Sequence, residues 1–404
     1  MDTRQYVAHA YMLQGVGREE ASRRALEYYC DSARVAAARR ANADLATYRN
    51  GDGGNSAYRK CVAAMEHTVE ANSQRTDVTG YMALFSDPRI SGIFATRPAY
   101  PAFTIPFVRA FGLVRGLWAA GVAVTVLAGG LVVLTLRRLG VSVPLALLGQ
   151  VLYYALPTGT DSMQPMCEGL LLCVLLGGVL GCVRILQGRI PSGVAISLAA
   201  FGAAACVKYA QTLLAVAGIA GMTALFVFVR WVRRREFPRP EWVLLATTAA
   251  FVIALQLVIV TLGLPSTRAS VQELMSVHYN KAVPPHLLHE FLRLNLAFWR
   301  EWLRDALVQP LGLLLLAAGA WGALRHHRSF GFLIVGIAAA GFVNQAGHPE
   351  VAMGPRLLVM ASLLPVCGIP LLIESRTGRQ DGKRGQALKV LPPRGLPAPE
   401  RQLY

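Results

Sequence analysis

The sequence predicts an all-α, polytopic integral membrane protein, and three observations carry that prediction. The first is composition. The chain has 404 residues, 54% of them hydrophobic and only 16% charged, where soluble domains carry about 25% charged residues. Mean hydropathy is +0.42. The second is a series of apolar runs close to the roughly 20 residues that cross a bilayer. The third is a basic bias confined to alternate loops. Together they exclude a disordered chain or a nucleic-acid-binding tail, and they argue against an ordinary soluble enzyme.

The polar N-terminal region, residues 1–106, comes first and reads as helical. Gly17-Arg18-Glu19-Glu20 opens an Ala/Arg-rich stretch that runs to about Tyr48. Asn50-Gly51-Asp52-Gly53-Gly54 is a turn, and a helix resumes from Ser56 to about Glu70. Asp87-Pro88 and Arg97-Pro98 predict an extended approach to the membrane. Pro106 to Arg115 suggests a short interfacial helix.

The membrane domain follows, residues 107–374. Its apolar runs are 117–136, 142–157, 166–186, 191–207, 210–230, 243–263, 307–324, 330–346 and 355–373, nine in all. Lys208 and Tyr209 separate the fourth run from the fifth. A single helix of about 40 residues would be twice a bilayer, so two helices meeting at Lys208 are expected. Between the sixth and seventh runs lies a long loop, 264–306. After Pro284-Pro285 it places Leu287, Leu288, Phe291, Leu294, Phe298 and Trp302 at helical spacing, with His289, Glu290, Arg293, Arg300 and Arg304 opposite. That is an amphipathic helix suited to a membrane surface, with Trp299 and Trp302 near headgroup level. Residues 375–404 are Pro/Gly/Arg-rich and read as a disordered basic tail.

Charge sets the orientation. The net charge is +17. Residues 1–106 carry a net +2, residues 107–374 a net +10 and the tail a net +5. Arg137/Arg138, Arg184/Arg189, the cluster from Arg230 to Arg239, and Arg325/Arg328 fall in alternate loops, while 158–165 and 347–354 contain no Lys or Arg. The basic loops and the C-terminus are therefore expected in the cytoplasm, with 1–106 and 264–306 outside a cell membrane. An outer N-terminal region that opens Met1-Asp2-Thr3-Arg4 leads to a further expectation, an upstream transmembrane helix that precedes this sequence. The positive excess points to anionic lipid as partner and not to nucleic acid.

No P-loop, GxSxG or HExxH motif is present, and no Cys/His cluster has metal-ligand spacing. No cofactor is assigned, and a divalent metal is left open. Cys30 and Cys61 are the two cysteines of the outer region, flanking the Gly53-Gly54 turn. An oxidising outer face permits a bridge between them, the alternative being two unpaired thiols. Five polar signals remain, all on the outer side of the topology. Asp2 lies one helical turn before Tyr6 and suits a general base, or simply a helix N-cap. Arg97-Pro98-Ala99-Tyr100-Pro101 suits an interfacial phosphate ligand, or a headgroup anchor. Asp161 and Glu168 are carboxylates seven residues apart at the membrane edge. Lys208 stands alone between two apolar helices, able to snorkel or to bind phosphate. His348-Pro349 with Arg356 could hold a phosphate or a leaving group.

These stretches resemble the GT-C superfamily of polytopic glycosyltransferases, which use lipid-phosphate sugars as donors. Asp2-x-x-x-Tyr6 matches the acidic position just after the first helix in that family. Arg97-Pro98-Ala99-Tyr100-Pro101 is similar to the family's Arg-Pro-x-Tyr-Pro-like entry to the next membrane segment. Val207-Lys208-Tyr209 resembles its short helix-hairpin turn, and His348-Pro349 with Arg356 resembles its His-Pro…Arg segment before the last helix. The sequence departs from the family in having one acidic residue where many members have two. The resemblance implies a polyprenyl-phosphate sugar donor, Asp2 as catalytic base, Arg97, Lys208, His348 and Arg356 on the phosphate, and Asp161 and Glu168 on sugar hydroxyls, with Tyr100 in the substrate site. A multi-pass transporter and a non-catalytic membrane scaffold presenting residues 1–106 are the alternatives. The oligomeric state is not legible.

Overall fold

The computed structural model describes residues 2–44, 53–74, 83–235, 238–279 and 281–375. Among them every regular element is helical. The N-terminal helices are α1 (Asp2–Met12), α2 (Arg18–Ala43), α3 (Gly53–Ser73), α4 (Pro88–Ala95) and α5 (Ala99–Phe111). Then come α6 (Leu113–Arg138), α7 (Val143–Ala155), α8 (Pro157–Ser162), α9 (Cys167–Leu186), α10 (Ile190–Arg234) and α11 (Arg239–Thr261). The C-terminal half has α12 (Thr267–Met275), α13 (Leu287–Val308), α14 (Leu311–His326) and α15 (Arg328–Gly347). The 3-10 turns of Val351–Ser362 lead into the last helix, α16 (363–375).

Among the described residues six spans are long and apolar enough to cross a membrane: α6, α9, α10, α11, α15 and Arg356–Ser375. A seventh arises if α13 and α14, which meet at 90°, are taken together. The remaining apolar run, 142–157, forms the 13-residue α7 and then stops. Leu156 is extended, with φ −89° and ψ 174°, as the residue before Pro157 is pushed to be. The runs 191–207 and 210–230 fall within α10, whose 45 residues would reach about 68 Å if straight, twice a bilayer. Lys208 breaks it, with φ −161° and ψ 84°. The arm before Lys208 packs on α9, where Phe201 covers Gly178. The arm after it meets α15 so closely that a Cβ on Gly218 or Gly336 would collide with the opposing backbone. Small residues allow such close approach between apolar helices, where lipid gives no hydrophobic drive to associate.

Several boundaries differ from those expected. The prolines after Asp87 and Arg97 open helices. Pro88 occupies the first turn of α4 and the Asp87 carboxylate accepts from the Arg89 N–H, which satisfies a free donor there. The helix expected over 106–115 begins earlier, as α5, and ends at Gly112, whose φ of 76° turns the chain into α6. The turn expected over 50–54 and the end of the helix at Tyr48 lie partly outside the described residues, and α3 begins at Gly53. The tail from Arg376 also lies outside them.

The N-terminal helices have their own small core of Val7, Ala8, Met12, Ala21, Leu26, Val69, Leu84 and Phe85. A disulfide joins Cys30 of α2 to Cys61 of α3, Cα atoms 5.5 Å apart. Tyr6 leaves this core and enters the core of the helical bundle. Its ring meets Phe94 and Tyr100 edge-on at 5.2 and 5.0 Å, and its hydroxyl donates to Cys167 Sγ at 2.9 Å. The α1 helix is thereby keyed into the membrane domain. On the far side α13 rests on α15 through Trp299 and Trp302 against Phe342. No residue of α13 is buried.

Candidate functional site

The cavity floor is built from the first turns of two helices and two chain breaks. Asp2 sits in the first turn of α1 and Glu168 in the first turn of α9, where the helix dipole favours an anion. Lys208 projects from the break in α10, and Arg356 comes from the 3-10 turns before α16. The Glu168 side chain is 1% exposed. Its Oε1 accepts from Lys208 Nζ at 2.9 Å and from Arg356 Nε at 2.8 Å. The other arm of the Arg356 guanidinium donates to Asp2 Oδ2. Two carboxylates and two cations thus form one connected, largely desolvated network. Such a network is stable only because each charge is compensated. Burial opposes ionisation of Asp2 most strongly, but the charge and hydrogen bond of Arg356, with the charge of Lys208, together hold the carboxyl below the ordinary Asp range.

Above this network lies a cavity of about 420 Å³. Of the residues singled out in the sequence, Asp2, Arg97, Lys208, His348 and Arg356 all line it. Tyr100, Asp161 and Glu168 do not. Glu168 lies beneath the floor. Tyr100 is 5% exposed and supports Tyr6. Asp161 is buried in α8, accepting from Gln164 Nε2 at 3.2 Å, while its Oδ2 is buried without a donor among the described residues. Burial first, then the nearby charge of Glu168, push Asp161 up to about 6.

Arg97 sits between α4 and α5. Its guanidinium donates to the Tyr6 hydroxyl at 3.5 Å and lies 5.3 Å from the Phe94 ring centre. Its Nε is buried with no acceptor among the described residues. His348 ends α15, and burial followed by the Lys208 charge depresses its pKa, so it is neutral at pH 7.

The α12 segment and the turn after it also line the cavity. Ser270, Glu273, Leu274 and His278 face into it. Val277, His278 and Tyr279 have φ of 51°, 57° and 61°, a left-handed stretch that is costly for a β-branched residue. It is held from both sides. His278 Nδ1 pairs with Glu273, and the Arg89 guanidinium lies 3.7 Å from the Tyr279 ring centre. The α12 segment is thereby fastened to α4.

Sequence reasoning missed Arg4, Gln5 and Ser86, which wall the cavity. No motif marks them, because their place follows from how α1 packs on α2, α4 and α5. Among the described residues no group of His, Cys, Asp or Glu side chains is arranged to hold a metal ion. The floor can compensate an added anion with fixed cations, and it holds a carboxylate whose availability depends on Arg356. Comparison with protein-family models, with curated proteins and with solved structures finds no match.

Proposed function

We propose that this protein is a membrane glycosyltransferase, moving a sugar from a polyprenyl-phosphate donor to an acceptor at the outer face of the cell membrane. The observation that carries the reading is the gathering of Asp2, Arg97, Lys208, His348 and Arg356 around one cavity beside apolar helices. Nine membrane crossings fit this reading if α10 counts as two arms and α7 and α14 each cross. The basic loops and the C-terminus are then cytoplasmic, and residues 1–106 and 264–306 are outside.

The chemistry follows from the charges. In an inverting transfer the acceptor oxygen attacks the anomeric carbon, the bond from that carbon to the phosphate oxygen breaks, and the acceptor proton must leave. Asp2 takes that proton. The phosphate departs with the bonding electron pair, and Arg356, Lys208 and Arg97 stabilise its charge in a site shielded from water. Arg356 links the two events. A donor phosphate competes with Asp2 for the guanidinium and releases the carboxylate, so the base becomes available when the donor is bound. Glu168 keeps both floor cations in position throughout.

The test is transfer from polyprenyl-phosphate sugars in reconstituted membranes. Asp2→Asn keeps the shape and removes the charge, so the rate should fall by about 10²-fold or more, with donor binding retained. Full activity in that variant would remove Asp2 as the base. A wild-type protein inert with every common donor would favour a scaffold.

A further inference from the structure

The cavity has a further cation besides Arg97, Lys208 and Arg356. Arg4 is 8% exposed and lines the cavity. Its guanidinium lies 4.9 Å from the Phe85 ring centre and 5.5 Å from that of Tyr29. Stacking uses the faces of the guanidinium and leaves its five N–H groups, which lie in its plane, still to be satisfied. Among the described residues the acceptor they find is the Met65 thioether, 3.4 Å from Nη1, and sulfur of that kind is a weak acceptor. The Nε is buried without an acceptor among the described residues. Beside it, Gln5 is 2% exposed and donates to Ser86 Oγ at 2.6 Å, while its own Oε1 is buried with no partner among the described residues. A buried cation of this kind costs several kcal/mol unless an anion completes it. Asp2 compensates it only at a distance, since its carboxylate accepts from Arg356.

We infer that Arg4, Gln5 and Ser86 form an anion subsite separate from the Lys208–Arg356 floor, and that it binds a sugar acceptor bearing a carboxylate or phosphate group. The identification of the ligand as an acceptor rests on the glycosyltransferase reading. Arg4 offers a planar fork that matches either oxyanion bidentately. Gln5 Oε1 is free to accept from a sugar hydroxyl, and the apolar ring of Phe85 walls the same space. Asp2 lines the same cavity as Arg4, so a sugar anchored by its acidic group at Arg4 would lay its body toward the proposed base.

The experiment is equilibrium binding to the full chain in detergent or nanodiscs, with methyl glucuronide, glucose 6-phosphate and methyl glucoside as probes. At least one anionic probe should bind at least tenfold more tightly than the neutral one, and which of the two binds better names the acidic group. Arg4→Gln should abolish that preference, while Arg4→Lys, which keeps charge but not the fork, should retain part of it. Equal binding of all three probes by the wild type would overturn the inference, and this holds even if Arg4→Gln does not fold. So would unchanged affinity in a folded Arg4→Gln protein with the loss falling on Arg97→Gln, which would move the anion to Arg97. Binding needs no turnover, so the two readings fail separately. Arg4-dependent binding without transfer leaves the subsite standing, and transfer to neutral acceptors alone leaves the enzyme standing.

Discussion

Ion pairs stand at both ends of the long second arm of α10, about 33 Å apart along the helix, and they are built differently. At the cavity end one carboxylate, Glu168, takes Lys208 and Arg356 together, with side-chain exposures of 1%, 10% and 15%. At the far end Glu241 takes Arg230 at 3.4 Å and Ser329 Oγ at 3.1 Å, and Arg230 remains 33% exposed. Nearby, Glu374 Oε2 accepts from Ser142 N and Oγ at 2.8 and 2.7 Å, capping the start of α7. The far end uses charge locally, to cap a helix or clasp two helices beside water. The cavity end buries several charges that compensate one another, so the loss of one strands the rest. That is costly to build for stability alone, since well-packed apolar residues would serve as well or better. A site that must present cations to an incoming anion has no such substitute.

The comparison breaks most readily at Glu168. Glu168→Gln leaves two desolvated cations under-compensated and should destabilise the protein by about 3 kcal/mol or more. Glu241→Gln, with its partner a third exposed, should cost about 1 kcal/mol or less. Apparent melting temperatures in detergent check the pair, and equal losses would remove the distinction between the two ends.

The next effect is pH-dependent. Asp161 is pushed up to about 6, so between about pH 4 and 6 the folded protein holds a proton that the unfolded chain has lost. Stability contributed by the protonated carboxyl therefore falls as pH rises through that window. Asp161→Asn should raise stability by about 2 kcal/mol at pH 7.5 and leave it unchanged near pH 4. A melting series across that range reads it, and a variant that tracks the wild type at every pH would place Asp161 in water. The smallest effect sharpens the far end. Glu374→Ala removes the cap on α7 and should cost about 1 kcal/mol, seen as a small melting shift without change in probe binding at the cavity.

Much of the architecture was written in local sequence. The long runs 117–136, 166–186, 243–263 and 330–346 lie within or largely overlap α6, α9, α11 and α15, because a bilayer-length apolar helix needs no partner to be recognised. Where the reading slipped, at Pro88, Pro98 and Pro106, the same residue type opens one helix and sits inside another, and local propensity does not choose between the two. The disulfide partners were legible from their isolation in the polar N-terminal region, although only the packing of α2 on α3 brings their Cα atoms to 5.5 Å.

The candidate site divides along the same line. Sequence alone marked Lys208, His348 and Arg356, because an ionisable residue at the edge of an apolar run is conspicuous against its neighbours, and it marked Asp2 through the expected upstream helix and Arg97 through the Pro98 and Pro101 beside it. It did not say that Asp2 would be paired with Arg356, 354 positions away. Nor did it say that Glu168 would lie under the floor and not in the cavity, or that Arg4 would be buried with its N–H groups nearly unanswered. Those are properties of distance between remote segments and of exclusion from water. Helix packing sets both, and no residue's own chemistry does.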